Sequence, residues 1–146
     1  ALELARRGAK VVVNDLGGSM DGSGGSSAAA DAVVEEIKAM GGEAISNGSS
    51  VTDDAGVAHM VKQTMDQWGR IDVLINNAGI IHFHMFADQP PAQLDLAIAI
   101  NLLAPMHLCQ ELLPHLQTGI QRNPQPVHAR VHLQPHHQRP RHRDAL

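Results

Sequence analysis

The chain has 146 residues, and its 11 Lys and Arg against 15 Asp and Glu leave a net charge of −4. This length suits one domain, and an apolar content of 43% is ordinary for a globular protein. No apolar run approaches the roughly 20 residues that cross a bilayer, and no secretory leader is visible. We therefore expect no membrane partner. The single cysteine, Cys109, excludes an intrachain disulfide and is expected to be buried on a helix.

The first part of the chain alternates helix and strand signals. Residues 1–7 predict a helix end, and the β-branched run 11–13 predicts a short buried strand. A glycine-rich loop over 16–25 leads to a helix that Ser26 or Ser27 can cap. The predicted apolar stripe of that helix is Ala30, Val33, Val34 and Ile37.

The alternation continues to residue 117. A weaker strand signal over 43–48 is followed by Asp53, which can cap a helix that Gly69 ends. The apolar stripe of that helix is Val57, Met60, Val61, Thr64, Met65 and Trp68. The run 71–75 predicts another buried strand, and Pro91 suits the first turn of a long helix. The stripe of the long helix is predicted as Leu94, Ile98, Leu102, Met106, Cys109, Leu113 and Leu116.

Short apolar strands that alternate with amphipathic helices are typical of an α/β fold, a Rossmann-type doubly wound parallel sheet. Because the sequence begins inside a helix, we expect it to be truncated at the first strand, and again after the long fourth-strand helix. In the usual strand order the first strand lies between the second and the fourth. The strands at Val11 and Val73 are then expected to lose a shared partner. Residues 1–117 are predicted to form a partial nucleotide-binding domain.

Residues 118–146 differ in composition from the rest. They carry 5 Arg and 1 Asp, whereas residues 1–117 carry 6 Lys and Arg and 14 Asp and Glu. His, Arg, Gln and Pro account for 18 of these 29 residues, and no apolar stripe is present. We predict that residues 118–146 are a disordered tail or the product of a shifted reading frame. The alternative is a genuine basic arm.

Two other site types are not expected in this chain. The histidine-rich stretches lack the fixed set of Cys or carboxylate partners that a metal site needs, so no metal is predicted. The basic tail has no aromatic residue on which a base can stack, so no nucleic-acid partner is predicted.

A polar turn ending in glycine follows the predicted strand 71–75. The carboxyl ends of parallel strands are where α/β sheets bind ligands. Asn77 tolerates unusual backbone angles, and Gly79 allows a ligand to approach the backbone closely. An Asn-Ala-Gly turn can also be purely structural, so the residues alone leave both interpretations open.

The run IDVLINNAG over 71–79 resembles the signature turn after the fourth strand of short-chain dehydrogenases/reductases. Three further features stand in the order of that family: the run GAKVVVND, then Val51, Thr52 and Asp53, and finally Asn101. The resemblance covers residues 1–117. The run VVVNDLGG and the helix after it are most similar to the (3R)-hydroxyacyl-CoA dehydrogenase part of peroxisomal multifunctional enzymes and to related bacterial enzymes.

The resemblance implies NAD as the cofactor. A carboxylate at Asp15 would accept hydrogen bonds from the adenosine ribose and repel a 2′-phosphate, although Asp also commonly begins loops. The family usually has an acidic residue against adenine after the third strand, where this sequence has Ser50 and Val51. The Ser50 hydroxyl and the Val51 backbone N–H are the predicted adenine contacts. The cofactor-binding set is completed by Asn77, Ala78 and Gly79.

Asn101 is the predicted catalytic residue, because it resembles the helix Asn that the family places behind its active site. Pro105 has no N–H to bond the carbonyl of Asn101, which leaves that carbonyl free to hold a water. In the family such a water belongs to a proton relay to a catalytic Lys. The alternative is a packing kink with no catalytic meaning.

The family's acid/base is a Tyr in a Tyr-x-x-x-Lys motif, preceded by a Ser on a strand. This sequence contains no tyrosine, and residues 119–128 contain no Ser. We therefore expect a fragment of an NAD-dependent dehydrogenase of secondary alcohols, by resemblance 3-hydroxyacyl-CoA, that is inactive by itself. The alternative is a noncatalytic dinucleotide-binding or oligomerising remnant. The resemblance also implies that the full-length parent protein is a homo-oligomer. It implies a cytoplasmic location, or a peroxisomal one in a eukaryote.

Overall fold

The computed structural model describes residues 1–17, 28–83 and 85–122. The elements in these ranges are α1 (Leu2–Arg6), β1 (Val11–Asn14), α2 (Ala28–Ala39), β2 (Ala44–Asn47), α3 (Asp54–Trp68), a 3-10 turn (Phe86–Asp88), α4 (Pro91–Ile98), a π-helical turn (Ala99–Leu103) and α5 (Ala104–Arg122). The predicted caps Ser26 and Ser27, most of the predicted glycine-rich loop and residues 123–146 lie outside the described residues. α5 continues past the predicted boundary at residue 117.

β1 and β2 form a parallel pair in which Asn14 lies opposite Asn47. The Val11 N–H donates to the Glu43 carbonyl at 3.0 Å, and the Asp15 N–H donates to the Asn47 carbonyl at 3.0 Å. Parallel strands need a crossover connection, and here that connection contains α2. The parallel α/β arrangement predicted from the sequence is confirmed.

The first hydrophobic cluster lies between α2 and this pair of strands. Ile37 is 0% exposed, and it packs with Val34, Ala5 and Ala44. These contacts confirm the predicted stripe of α2. Gly42 follows α2, and its backbone lies close to the Ile37 side chain. A Cβ atom on Gly42 would lie 2.8 Å from the Cγ2 of Ile37.

The second hydrophobic cluster joins α3, the stretch 71–74 and α5. Its buried members are Val57, Ile71, Leu108 and Leu112. α3 begins at Asp53, whose carboxylate accepts the Gly56 N–H at 3.0 Å, and it ends at Gly69 with φ of 68°. Both ends of α3 agree with the sequence prediction. The two clusters share no buried residue, so the described core is divided.

The predicted strand over residues 71–75 is wrong, since this stretch forms no strand in the described structure. Val73 is 67% exposed and Ile75 is 57% exposed. β1 pairs with β2 along one edge, and no described segment pairs with its other edge. Backbone N–H and C=O groups need a neighbouring strand to form a ladder, and an apolar run cannot supply one by itself.

Amide hydrogen exchange is expected to distinguish the two apolar runs. The amides of Val11 and Asp15 are bonded across the strand pair and should exchange slowly. The amides of Val73 and Ile75 have no such partners and should exchange at close to the unstructured rate. NMR-detected exchange, corrected for each residue's intrinsic rate, measures this. Equal protection of the two runs would contradict the prediction.

The long helical run packs through a face that the sequence did not predict. Cys109 is exposed on α5 rather than buried, and the other exposed members of the predicted stripe include Ile98, Leu102, Met106 and Leu113. Leu108 and Leu112, each one residue earlier than a predicted position, are buried instead. The π-helical turn inserts one extra residue and so changes the helical phase of the residues after it, whereas Ile98 is exposed before the turn and Leu116 still packs against the second cluster.

Within the described residues, the run Pro91–Thr118 is long and apolar enough to cross a membrane, with a mean hydropathy of 1.5 over its most apolar window. It is not an uninterrupted apolar run, because Asp95, Glu111 and three prolines are spread along it. One side of this run contributes Leu108 and Leu112 to the second cluster. Core helices of soluble proteins pass the same test of length and composition, so that test assigns no membrane.

Candidate functional site

Asp15 lies directly after β1, at the carboxyl end of the strand pair. Its side chain is exposed, and its Oδ1 accepts the Gly17 N–H at 2.7 Å. Gly17 has φ of 74°, which closes the turn at a backbone angle that other residues rarely adopt. The turn therefore holds the carboxylate in place, while its remaining lone pairs can accept further hydrogen bonds.

A network of two asparagine side chains fixes the turn that follows β2. The Asn14 Nδ2 donates to the Asn47 Oδ1 and to the Ser49 carbonyl, each at 2.9 Å. The Asn47 Oδ1 also accepts the Ser49 N–H at 2.9 Å. Both backbone groups of Ser49 are therefore bonded to side chains at the ends of the two strands.

The two predicted adenine contacts follow Ser49 in the same turn. The Ser50 hydroxyl lies 2.9 Å from the Thr52 hydroxyl and accepts the Thr52 N–H at 3.2 Å. The Val51 side chain packs against the second hydrophobic cluster. The side chain of Val51 thus belongs to the core, and its backbone is the part available to a ligand.

Asn101 holds the turn that ends at Gly79. Its Oδ1 accepts the Ile80 N–H and its Nδ2 donates to the Ile80 carbonyl, both at 2.9 Å. A Cβ atom on Gly79 would lie 3.3 Å from the Oδ1 of Asn101. This two-point clamp was not predicted, because the sequence argument concerned only the backbone carbonyl of Asn101.

The backbone of Asn101 belongs to the π-helical turn. At the end of this turn, the Ala104 N–H donates to the Ala99 carbonyl, five residues earlier. Ala104 separates this turn from Pro105, which cannot donate a backbone hydrogen bond. Turns of this kind are frequent at functional sites.

The predicted site residues fall into two groups. Asp15 is connected to the turn containing Ser50 and Val51 through Asn14 and Asn47. The second group consists of Asn77, Ala78, Gly79 and Asn101. No hydrogen bond between the two groups is present in the described residues. Asn14 and Asn47 themselves were missed, although the sequence contains a signal for them: both strands end in asparagine, in VVVN and AISN.

A cavity of about 420 Å³ lies at the opposite end of the strand pair, lined in part by Arg6, Lys10, Gly42 and Glu43. The Lys10 Nζ lies 2.9 Å from a Glu43 carboxylate oxygen. That hydrogen bond lowers the pKa of the Glu43 carboxyl, and burial opposes the change. None of the predicted site residues lines this cavity. Ligands of parallel sheets bind at the carboxyl ends of the strands, so we assign the cavity no role.

No group of three or more His, Cys, Asp or Glu side chains within the described ranges could hold a metal ion. The candidate site consists of one exposed carboxylate and two clamped turns. Such turns present backbone groups to a ligand at fixed positions.

The family model for short chain dehydrogenases matches residues 1–123. The chain belongs to the short-chain dehydrogenase/reductase family, as the resemblance implied. It is 47% identical over 117 residues to the peroxisomal multifunctional enzyme A of Dictyostelium discoideum, covering 80% of this chain and 26% of that protein. It is 41% identical over 117 residues to the peroxisomal multifunctional enzyme type 2 of Mus musculus, covering 80% of this chain and 16% of that protein.

Two solved structures share the fold. A short chain dehydrogenase from Mycobacterium avium matches with a TM-score of 0.70 and 39% identity, over 84% of this chain and 42% of that one. A metagenomic short-chain oxidoreductase in complex with NADP matches with a TM-score of 0.70 and 32% identity, over 81% of this chain and 50% of that one. The Rossmann-type fold class is confirmed. The chain spans half or less of each of these relatives.

Proposed function

We propose that this chain forms the adenosine side of an NAD site in a short-chain oxidoreductase that acts on a 3-hydroxyacyl-CoA thioester. The observation that carries the proposal is the exposed carboxylate of Asp15, held by Gly17 at the carboxyl end of β1. The similarity to peroxisomal multifunctional enzymes supports the substrate class.

The residues present fit the adenosine half of a dinucleotide. Asp15 would accept hydrogen bonds from the ribose hydroxyls, and Ser50 and Val51 would contact the adenine. The backbone of Asn77, Ala78 and Gly79 would lie along the rest of the cofactor. Bound NAD supplies the acceptor for the hydride of a secondary alcohol.

Asp15 favours NAD over NADP by charge. One related structure holds NADP, so membership of the family does not decide between the two cofactors. A 2′-phosphate would bring negative charge against the carboxylate, and like charges at short range repel strongly in a partly desolvated site. The ribose hydroxyls of NAD instead donate hydrogen bonds to it.

For Asn101 we propose two roles. Its side chain clamps Ile80 and so positions the turn at Gly79 against the cofactor. Its backbone carbonyl, freed by Pro105, would hold a water of the family's proton relay, which also needs the Tyr-x-x-x-Lys motif.

We further propose that residues 1–117 are a partial NAD-binding domain and residues 118–146 a tail outside it. The first part would occur in peroxisomes in a eukaryote and in the cytoplasm in a bacterium. By itself the chain is proposed to be catalytically inactive, since it contains no tyrosine.

A second candidate function is a noncatalytic, oligomerising remnant. The exposed apolar side chains Ile98, Leu102 and Met106 on the long helical run favour it, because exposed apolar patches often mark contacts between protein chains. Sedimentation of the purified chain tests this candidate: a monomer over the whole micromolar range would contradict it.

Asp15→Ala is expected to weaken NAD binding by about tenfold or more, since hydrogen bonds to charged groups contribute about 1.5–3 kcal/mol. The same change should narrow the preference for NAD over NADP, because the repulsion of the 2′-phosphate is removed. Titration of the ¹⁵N-labelled chain with each cofactor, followed by NMR, measures both effects.

Two further variants serve as controls for this titration. Asp15→Asn keeps an oxygen for the Gly17 N–H and removes only the charge, so it should relax cofactor choice with little change in the turn. Asp88→Ala removes an exposed carboxylate elsewhere and should leave both affinities unchanged. A wild-type chain that already prefers NADP would contradict the role given to Asp15.

A further inference from the structure

Asn47 is the one polar residue among the buried residues of the described structure, with 4% of its surface exposed. Its amide is nevertheless fully used. The Oδ1 accepts from the Asn14 Nδ2 and the Ser49 N–H, each at 2.9 Å. The Nδ2 donates to the Gln63 Oε1 at 2.9 Å and lies 3.5 Å from the His59 Nδ1. A buried amide with every group bonded specifies one local arrangement, because any other would leave a polar atom without a partner.

The partners of Asn47 come from three separate elements. Asn14 lies on β1 and Gln63 lies on α3. The Gln63 Nε2 also donates to the Ser46 carbonyl at 3.1 Å. The Asn47 carbonyl accepts the Asp15 N–H at 3.0 Å. One residue therefore joins the end of β1, the turn after β2 and the inner side of α3.

The start of α3 restricts the same turn from a further side. A Cβ atom on Gly56 would lie 2.9 Å from the Cβ of Ser49 and 3.3 Å from the Ser50 carbonyl. The turn thus lies in direct contact with the helix, with little free space between them. A shift of Ser49 would be transmitted to Ser50 and Val51, which follow it directly.

We infer that Asn47 is a positioning residue for the cofactor: it holds the turn containing Ser50 and Val51 at a fixed place relative to Asp15. This inference rests on the proposed function, in which those three residues contact the two parts of adenosine. Asn47 itself is buried and touches no ligand. It acts by preorganisation, since a turn that is already ordered loses less entropy when a ligand binds.

Binding of ADP-ribose to the ¹⁵N-labelled chain tests the inference, with the amides of Asp15, Ser50 and Val51 as reporters. This probe contains the adenosine half of the cofactor and lacks nicotinamide. Asn47→Leu keeps the approximate volume and removes every hydrogen bond of the side chain, so affinity should fall about tenfold or more. Hydrogen exchange at the Ser49 amide should also become faster.

Three further variants separate positioning from general loss of stability. Asn47→Asp retains acceptors for Asn14 and Ser49, so it should recover most of the affinity. Asn14→Ala, at a half-buried position, removes the bonds from Asn14 to the Asn47 Oδ1 and to the Ser49 carbonyl, and it should reproduce part of the loss even if Asn47→Leu fails to fold. Ile37→Val loosens the other hydrophobic cluster and should leave affinity within about twofold.

Wild-type affinity in a folded Asn47→Leu chain, or in Asn14→Ala, would overturn the inference and leave the proposed function standing. An equal loss in Ile37→Val would also overturn it, since the effect would then follow stability alone. A wild-type chain that does not respond to ADP-ribose would overturn the proposed function and the inference together.

Discussion

This polypeptide by itself is expected to produce no NADH above an enzyme-free control when it is incubated with NAD and a 3-hydroxyacyl-CoA. Hydride transfer needs a bound nicotinamide, a base for the alcohol proton and donors for the developing charge, all held together. The resemblance to the family assigns the base to a tyrosine, and this chain contains none. We expect binding of NAD no tighter than about millimolar, because most of the proposed contacts are to the adenosine part of the cofactor.

Histidine is the residue that could replace the missing base, since it titrates near neutrality. His82 lies three residues after Gly79, and its Nε2 is buried without a hydrogen-bond partner. No described contact holds His82 against the proposed cofactor residues. A base without a fixed position relative to substrate and cofactor contributes little to the rate.

The measurement is NADH absorbance with a purified sample, tested for contaminating host dehydrogenase. A mock purification from cells without the chain provides the background rate. Turnover that exceeds this background, and that Asp15→Ala or Asn101→Ala abolishes, would show that the chain builds a complete active site.

Ile37→Ala is expected to remove most of the chain's free energy of unfolding. Ile37 is 0% exposed and lies at the centre of the first hydrophobic cluster. Replacing such a residue by Ala costs about 2–5 kcal/mol, whereas whole domains are stable by only about 5–15 kcal/mol. Because the core of this chain is divided into two clusters, we expect a stability near the lower end of that range, of which one cavity should remove most.

Urea titration followed by circular dichroism measures this loss of stability. Ile75→Ala is the matched control, because it removes the same atoms from a side chain that is 57% exposed. Exposed substitutions usually change stability by no more than about 0.5 kcal/mol. Similar unfolding midpoints for the two variants would mean that the first cluster does not hold the fold together.

Local signals in the sequence determined much of this structure. The stripe of α2, the Asp53 cap of α3 and the proline at the start of α4 each depend on residues within one or two turns of helix. Such features need no distant partner, so periodicity and capping preferences predict them. The family followed from the run over 71–79 in the same way, because its residues stand together in the chain.

Features that depend on contacts between distant residues were decided only by the tertiary structure. The apolar run 71–75 forms no strand, because a ladder needs a second strand beside it. Leu108 and Leu112 are buried one residue before the predicted positions, after a π-helical turn that changes the helical phase. The clamp of Asn101 on Ile80 and the network around Asn47 join residues 21 and 33 positions apart. Hydrogen bonds across such separations exist only after the elements have packed, so local periodicity carries no trace of them.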